Sequence, residues 1–262
     1  MTSTQLHTDL DKTLRVALMA HYGNEIVAAN LATNALLRFE IDAASLNNLG
    51  FTPFTLWDLE TSQANLLADP GRPELIEINS ANPVGQLRKK RQIAAICDQS
   101  RAPENLPLLG FNGPSISYSQ VSGNSPSITI VELSKRQAIR KNSYGEVTIS
   151  FPWGPIIASL PLGNEKENYL FDRVDRPLNS QKEIAEILGF IPKYLVVVLA
   201  KPHAGYCKKV AAGLLPEKLT RKAEKVVAQR SLEPSAALKD SSGHRPIKAE
   251  HGQSVFDPET TE

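Results

Sequence analysis

The sequence predicts an α+β fold, in which an acidic helical N-terminal part precedes a central antiparallel or mixed β-sheet, a basic C-terminal helix and a disordered tail. Residues 127–162 hold the densest run of β-branched and aromatic residues, which is typical of strands. Apolar residues recur with helical spacing before residue 68 and after residue 215. The predicted regions are a helical region (1–72), a sheet-containing core (73–212), a basic helix (213–230) and a disordered tail (231–262).

The N-terminal region is predicted to contain helices over residues 8–22, 24–35, 41–49 and 53–67. In the first of these, Leu14, Ala17 and Leu18 share one face, and Gly23 provides a stop. The aromatic residues of this region, Phe51, Phe54 and Trp57, are predicted to pack on the sheet. The alternative is an exposed aromatic patch that binds a partner protein.

Several strands are predicted in the core, over residues 74–78, 115–121, 128–133, 147–151, 156–160 and 168–172. Val147, Ile149 and Phe151 alternate with polar residues, which indicates a half-buried strand. Residues 156–160 are more continuously apolar, which predicts a strand covered on both faces. A helix is predicted over residues 82–99.

A capping box precedes another predicted helix, because Ser180 and Glu183 have the spacing that satisfies the first amides of a helix. Apolar and small residues follow at set positions: Ile184, Ala185, Leu188, Gly189, Phe190, Leu195 and Val198. With these residues, the segment 181–200 resembles the helix-turn-helix of bacterial regulators, which would place a recognition helix after Pro192. Three consecutive valines, at 196–198, favour instead a helix followed by a buried strand over residues 194–199.

Charge is distributed unevenly along the chain, although the formal net charge is only +1. Residues 1–80 carry 4 Lys and Arg against 10 Asp and Glu, whereas residues 81–230 carry 22 against 12. The candidate nucleic-acid-binding residues are Arg88, Lys89, Lys90, Arg91, Lys135, Arg136, Arg140, Lys141, Lys193, Lys218, Arg221, Lys222 and Lys225. Such clusters grip phosphates, and they also serve as solvated helix faces or protect sheet edges from pairing.

These clusters and the helix-turn-helix resemblance together predict a non-enzymatic, nucleic-acid-associated protein of a bacterium or mobile element, with a possible regulatory role. The alternative is a protein-interaction or assembly module with a β-sheet core and no nucleic-acid role. Its partner would bind at a sheet edge or at the N-terminal aromatic residues.

Motifs for catalysis, cofactors and metals are missing from the sequence, so no catalytic residue, cofactor or metal ligand is predicted. His203 and Cys207 have metal-compatible spacing, but two ligands do not close a zinc site. An enzyme without short motifs stays open as an interpretation. With two cysteines, no signal pattern and no long apolar window, the sequence predicts a cytoplasmic protein without a membrane partner.

Overall fold

The computed structural model describes residues 13–42, 52–66 and 69–219, and these residues form a mostly β fold rather than the predicted α+β fold. The strands are β1 (Leu14–Tyr22), β2 (Glu25–Asn30), β3 (Leu36–Glu40), β4 (Thr55–Leu66), β5 (Leu75–Gln86), β6 (Ser115–Ser117), β7 (Ile128–Glu132), β8 (Ala138–Lys141), β9 (Val147–Trp153), β10 (Ile156–Pro161), β11 (Pro192–Leu199) and β12 (Tyr206–Pro216). The helices in these ranges are α1 (Lys90–Gln99), α2 (Glu165–Asp172) and α3 (Gln181–Leu188).

A closed barrel, with strand order β1-β2-β3-β5-β4, occupies the region that was predicted to be helical. The first, second and fourth predicted helices are wrong, since their described residues fall largely in β1, β2 and β4. Most of the third lies outside the described residues, as does Phe51. Phe54 packs in the cluster shared with the central sheet, as predicted, whereas Trp57 packs in the barrel interior. Both are buried, so they do not form an exposed patch.

The N-terminal prediction failed because β1 is buried on both faces. Val16 and Leu18 face the barrel interior, whereas Ala17 and Met19 pack against the next layer of the fold. A strand covered on both faces shows no alternation of apolar and polar residues. Its alanines and leucines also have high helix propensity, which tertiary burial overrides.

The central layer is a sheet with strand order β6-β12-β11-β7, and it is also covered on both faces. In β11, Leu195 and Val197 face one hydrophobic cluster, and Val196 and Val198 face the cluster shared with the barrel. The predicted recognition helix is therefore wrong, and the alternative of a helix followed by a buried strand is confirmed.

The cap of α3 agrees with the sequence pattern. Ser180 Oγ accepts a hydrogen bond from the Glu183 amide at 3.2 Å, and Gly189 ends the helix with a φ of 81°. The left-handed conformation at this position favours glycine, because a side chain would be strained there.

A third layer is the sheet β10-β9-β8, which packs on the outer face of the central sheet. The strand predicted over residues 147–151 is confirmed as part of β9, and residues 156–161 form strand β10. The prediction that β9 is half-buried is wrong, because Thr148 and Ser150 are buried as well as the apolar residues between them. The prediction that residues 156–160 are covered on both faces is wrong, because Ile156 is 59% exposed and Ile157 is 64% exposed. The predicted strand 168–172 is also wrong, since these residues belong to α2.

Two predicted element boundaries moved. Residues 82–86 belong to β5, so the helix predicted from residue 82 begins at Lys90. The predicted basic C-terminal helix does not fit, because the chain stays in β12 up to Pro216, with Leu214 and Leu215 buried. Residues 220–262, which include most of that helix and the predicted tail, lie outside the described residues.

A buried arginine joins the barrel to the central sheet. Arg38, on β3, is 0% exposed, and its Nη1 atom donates to Glu25 Oε2 and to the Leu199 carbonyl, each at 3.0 Å. Its Nη2 atom donates to the Ser127 carbonyl. Arg72 reaches the other oxygen of Glu25 at 2.6 Å. The barrel is thus fixed to the ends of β7 and β11 by a charged group that water does not reach.

Backbone groups on the outer edge of β12 have hydrogen-bond partners beyond the short pairing of this strand with β6. The amide of Lys209 donates to the Pro114 carbonyl at 2.9 Å, and the carbonyl of Ala211 accepts from the Gly163 amide at 2.8 Å. Further along, the amide of Leu214 donates to Glu167 Oε1 at 2.9 Å. Burial raises the pKa of Glu167 to about 8, so this carboxyl group is mainly protonated at neutral pH.

Candidate functional site

A groove of about 750 Å³ lies beside strand β10. One wall is β10 and the end of β9, and the opposite wall consists of residues 104–108 and 111–114, with Lys209 of β12 also lining the groove. The indole Nε1 of Trp153 donates to the Leu106 carbonyl at 3.0 Å, which ties the two walls together at one point. The groove is thus formed by segments from three parts of the chain.

Strand β10 presents an unpaired edge to this side of the sheet. The Leu162 amide donates to the Val147 carbonyl at 2.9 Å. Hydrogen-bonded and non-hydrogen-bonded pairs alternate along an antiparallel ladder, so the even-numbered residues of β10 are those that exchange backbone hydrogen bonds with β9. The backbone groups of Ile157 and Ser159 therefore point away from β9, and no backbone partner for them is present in the described ranges. The opposite edge of this sheet differs, because Ile139 of β8 pairs with Leu178 there.

The rim of the groove carries exposed apolar side chains. Ile156 and Ile157 are more than half exposed, and Leu106 on the opposite wall is 55% exposed. Isolated exposed apolar residues are common on protein surfaces, but a cluster beside a groove indicates a binding surface. An unpaired strand edge next to such a cluster can accept an additional strand.

Lys209 is the cation of the groove. It is 4% exposed, its Nζ donates to the Phe111 carbonyl at 2.6 Å, and it lies 3.9 Å from the centre of the Phe111 ring. Burial lowers the pKa of Lys209 to about 8, so the side chain is mostly charged at neutral pH and loses that charge over a modest rise in pH.

Some of the candidate nucleic-acid-binding residues come together in a second depression of about 660 Å³. Lys135, Lys193 and Lys218 all line it, and Lys90 reaches its rim through an ion pair of 2.8 Å with Glu217. These lysines come from four separate stretches of sequence, so only the folded chain brings them together.

The same depression also contains carboxylates. Glu132 lies 2.6 Å from Lys193 and also pairs with Arg101, and Glu104 and Glu217 line the wall. The hydrogen bond from Lys193 is the main reason that the pKa of Glu132 is lowered. The positive charge of this depression is therefore largely balanced by negative charge.

The remaining candidates are spread over other surfaces. Arg88, Lys89 and Arg91 are exposed at the start of α1, and Arg136 is exposed between β7 and β8. Arg140 and Lys141 lie on β8, where Lys141 pairs with Asp172 at 3.0 Å. Arg221, Lys222 and Lys225 lie outside the described residues.

The residues considered for metal or thiol chemistry do not form a site. Cys207 is fully buried, and burial raises its pKa, so neighbouring lysines do not activate this thiol. Within residues 13–42, 52–66 and 69–219, no group of three or more His, Cys, Asp or Glu side chains is placed to hold a metal ion.

The sequence analysis missed Lys209 and the exposed edge of β10. Lys209 stands between Cys207 and Ala211 with the period of two that marks one face of a strand, and both neighbours are buried. That spacing is a signal for an inward-facing lysine. The exposure of Ile156 and Ile157 has no comparable signal, because it depends on where residues 104–114 lie.

No protein-family model and no curated protein matches the chain. A solved structure described as "Structural mimicry for functional antagonism" contains a chain that is 9% identical, with a TM-score of 0.31, over 77% of this chain and 88% of that chain. A likeness at that level carries no argument about fold or function. In the described part of the chain, no helix has both the length and the apolar character needed to cross a membrane.

Proposed function

We propose that this protein is a protein-interaction module that binds an extended segment of a partner along the free edge of β10. The observation that carries the proposal is that the backbone of Ile157 and Ser159, beside an apolar groove, has no partner strand in the part of the chain that the structure describes. Addition of a strand to an exposed sheet edge is a recurring mode of peptide recognition, in which main-chain hydrogen bonds give affinity and side-chain pockets give specificity.

The sequence of β10 supports a role for its edge. Natural edge strands are usually protected by charges, prolines or bulges. Strand β10 has no charged residue, and its one proline, Pro161, lies beyond the two free backbone positions. Exposed isoleucines at its start add apolar surface that a bound strand would cover.

The Ser159→Pro variant is expected to lose peptide binding. Proline removes the outward N–H of residue 159 and blocks the edge sterically, whereas the β9 ladder keeps its hydrogen bonds. Binding is measured by fluorescence anisotropy with a pool of labelled hexapeptides that alternate Val, Ile or Leu with Thr or Ser. We expect the affinity to fall about tenfold or more, as for loss of one or two hydrogen bonds.

Ser159→Ala is the matched control, because it removes the hydroxyl that bonds to Ser150 Oγ at 3.1 Å but keeps the amide. It should bind the pool within about twofold of the wild-type protein, since the backbone edge is intact. Pro161 on the same strand indicates that β10 accommodates proline, and circular dichroism checks the fold of both variants. Wild-type affinity in Ser159→Pro, or an equal loss in Ser159→Ala, would contradict the proposal.

A second candidate function is nucleic-acid association, which the convergence of Lys135, Lys193 and Lys218 on one depression supports. The balancing carboxylates limit the number of phosphates that this surface would neutralise. Binding of a labelled single strand would then depend on salt through release of a few counterions.

The double variant Lys135→Glu/Lys218→Glu tests that candidate. Its affinity for a labelled single DNA strand of about 20 nucleotides should fall about tenfold at low salt, and the slope of log affinity against log salt should decrease in magnitude by about 1.4. The double variant Arg140→Glu/Lys141→Glu carries the same charge change on β8 and should have a smaller effect. Undetectable binding by the wild-type protein, or equal losses in both variants, would rule out this depression as the site.

A further inference from the structure

We infer that the groove beside β10 receives the C-terminal residues of a partner protein, with the terminal carboxylate held by the ammonium group of Lys209. This inference rests on the proposed function, because it requires a partner strand at the edge of β10. It adds the chemistry of the segment that binds and the direction in which it runs.

Lys209 has no carboxylate partner among the described residues, although it is 4% exposed. A buried ammonium group is costly unless it is paired, and buried lysines in proteins are usually paired. Here it has one carbonyl acceptor and one aromatic ring, both from Phe111. An ammonium group has three donors, so it retains capacity for an anion. The ammonium group of Lys209 thus has no ion-pair partner within the described ranges, although Glu104 also lines the groove.

The charge lies at a defined end of β10. Leu162 forms a parallel bridge with Ala211, and Leu160 and Lys209, each two residues earlier, both line the groove. Ile157 precedes Leu160 by three residues, which corresponds to about 10 Å of extended chain. A bound strand whose end lies at Lys209 therefore covers the free backbone of Ser159 and Ile157 with its last three or four residues.

The groove is closed just beyond Lys209. The Gly163 amide donates to the Ala211 carbonyl at 2.8 Å, and this joins the chain after β10 directly to β12. The approach is so close that a Cβ atom on Gly163 would lie 2.4 Å from Val210 Cγ1. A partner chain that continued past this point would collide with the junction. A terminal carboxylate suits this position better than an Asp or Glu side chain within a longer strand.

These constraints also set the direction of the bound segment. Its carboxyl end lies near Leu160 and its earlier residues lie near Ile156 and Ile157, so it runs parallel to β10. Apolar side chains near its start would contact the exposed isoleucines and Leu106 across the groove. The partner is thus a chain that ends in an extended segment with apolar residues and a free carboxylate.

A structural role for Lys209 makes a different prediction. Its backbone amide binds Pro114 and its ammonium group binds Phe111, so the residue could serve only to attach residues 111–114 to β12. In that case the affinity for a peptide would not depend on whether the peptide ends in a carboxylate or an amide.

The experiment compares the alternating hexapeptide pool with the same pool amidated at its C-terminus. Wild-type protein should bind the free-acid pool about tenfold more tightly, because a charged hydrogen bond in a sheltered site contributes more than about 1.4 kcal/mol. Lys209→Met should reduce free-acid binding to the amide level and leave amide binding unchanged. Lys208→Met is the matched control, since Lys208 is the adjacent and exposed lysine, and it should behave as wild type.

Two further measurements keep the test decisive if Lys209→Met folds poorly. Lys209→Arg retains the charge and should retain the preference for the free acid. In the wild-type protein with ¹³C-labelled lysine, the pKa of Lys209 should rise from about 8 when the free-acid pool binds, and it should not rise with the amide pool.

The outcomes separate this inference from the proposed function. Equal binding of both pools by the wild-type protein, lost in Ser159→Pro, would overturn the role of Lys209 and leave the β10 edge as the binding site. Binding of neither pool would overturn both. A wild-type dimer that Ser159→Pro dissociates in sedimentation experiments would show that a second copy covers β10, and would overturn the C-terminal segment as its occupant.

Discussion

Replacing Arg38 by methionine should lower the free energy of unfolding by about 3 kcal/mol, because it breaks an ion pair that water does not reach. Removing one partner of a buried pair commonly costs about 3–5 kcal/mol. The lower value is expected here, since Glu25 keeps Arg72 at 2.6 Å after the substitution. The carbonyl of Leu199 also loses a donor, which weakens the attachment of the barrel to β11. Urea denaturation monitored by tryptophan fluorescence gives the value.

An exposed pair provides the comparison for Arg38. Arg15 lies 2.7 Å from Asp58 with its side chain 59% exposed, so Arg15→Met should change the stability little. If Arg38→Met were as stable as Arg15→Met, the buried pair would not hold the layers together.

The Glu167→Gln variant should be more stable than the wild-type protein at neutral pH and nearly equal to it at acid pH. Burial raises the folded-state pKa of Glu167 from 4.5 to about 8. As the pH rises above 4.5, the unfolded chain releases the proton of Glu167 whereas the folded protein retains it, so the free energy of unfolding decreases. The contribution of Glu167 to stability is full below the unfolded-state pKa and is lost as the pH approaches 8. At about pH 7 the difference between variant and wild type should be on the order of 3 kcal/mol.

Glutamine is the appropriate replacement because its carbonyl oxygen can still accept the hydrogen bond from the Leu214 amide. The measured quantity must be the difference in unfolding free energy between variant and wild type at each pH, because the pH dependence due to His21 is opposite in sign to that due to Glu167. Burial, followed by the charge of Lys166, lowers the pKa of His21 to about 4, so this residue destabilises the fold as the pH falls through 6.5. Denaturation at a series of pH values tests the prediction, and a difference independent of pH would contradict it.

The local signals in the sequence were the dependable ones. The alternation of Val147, Ile149 and Phe151 gave the correct strand, and the pair Ser180 and Glu183 gave the correct helix start. Each pattern depends on residues two to four positions apart, so it can be interpreted without knowledge of the tertiary structure.

The same local rules failed for β1 and β2, which are buried on both faces but lack the β-branched run that indicated β11. In β1 and β2 the apolar and alanine residues fit a helical spacing, but they fill the barrel interior and the layer between barrel and central sheet. Only a partner layer on each side favours the extended form, and no short stretch of sequence contains that information.

The candidate site depended almost entirely on the tertiary structure. Its walls come from residues 104–114, β10 and β12, and the position of Lys209 among them follows from the junction of Gly163 with Ala211. The convergence of Lys135, Lys193 and Lys218 is likewise a product of packing.

The sequence by itself determined a β-rich middle region, the capped helix α3 and an uneven distribution of charge. The tertiary structure alone decided that the N-terminal region is a barrel and, within the described ranges, that Lys209 is buried without a carboxylate partner and that the edge of β10 stays open. The physical reason is that burial and hydrogen-bond pairing join residues far apart in sequence, whereas propensity and spacing act only between near neighbours.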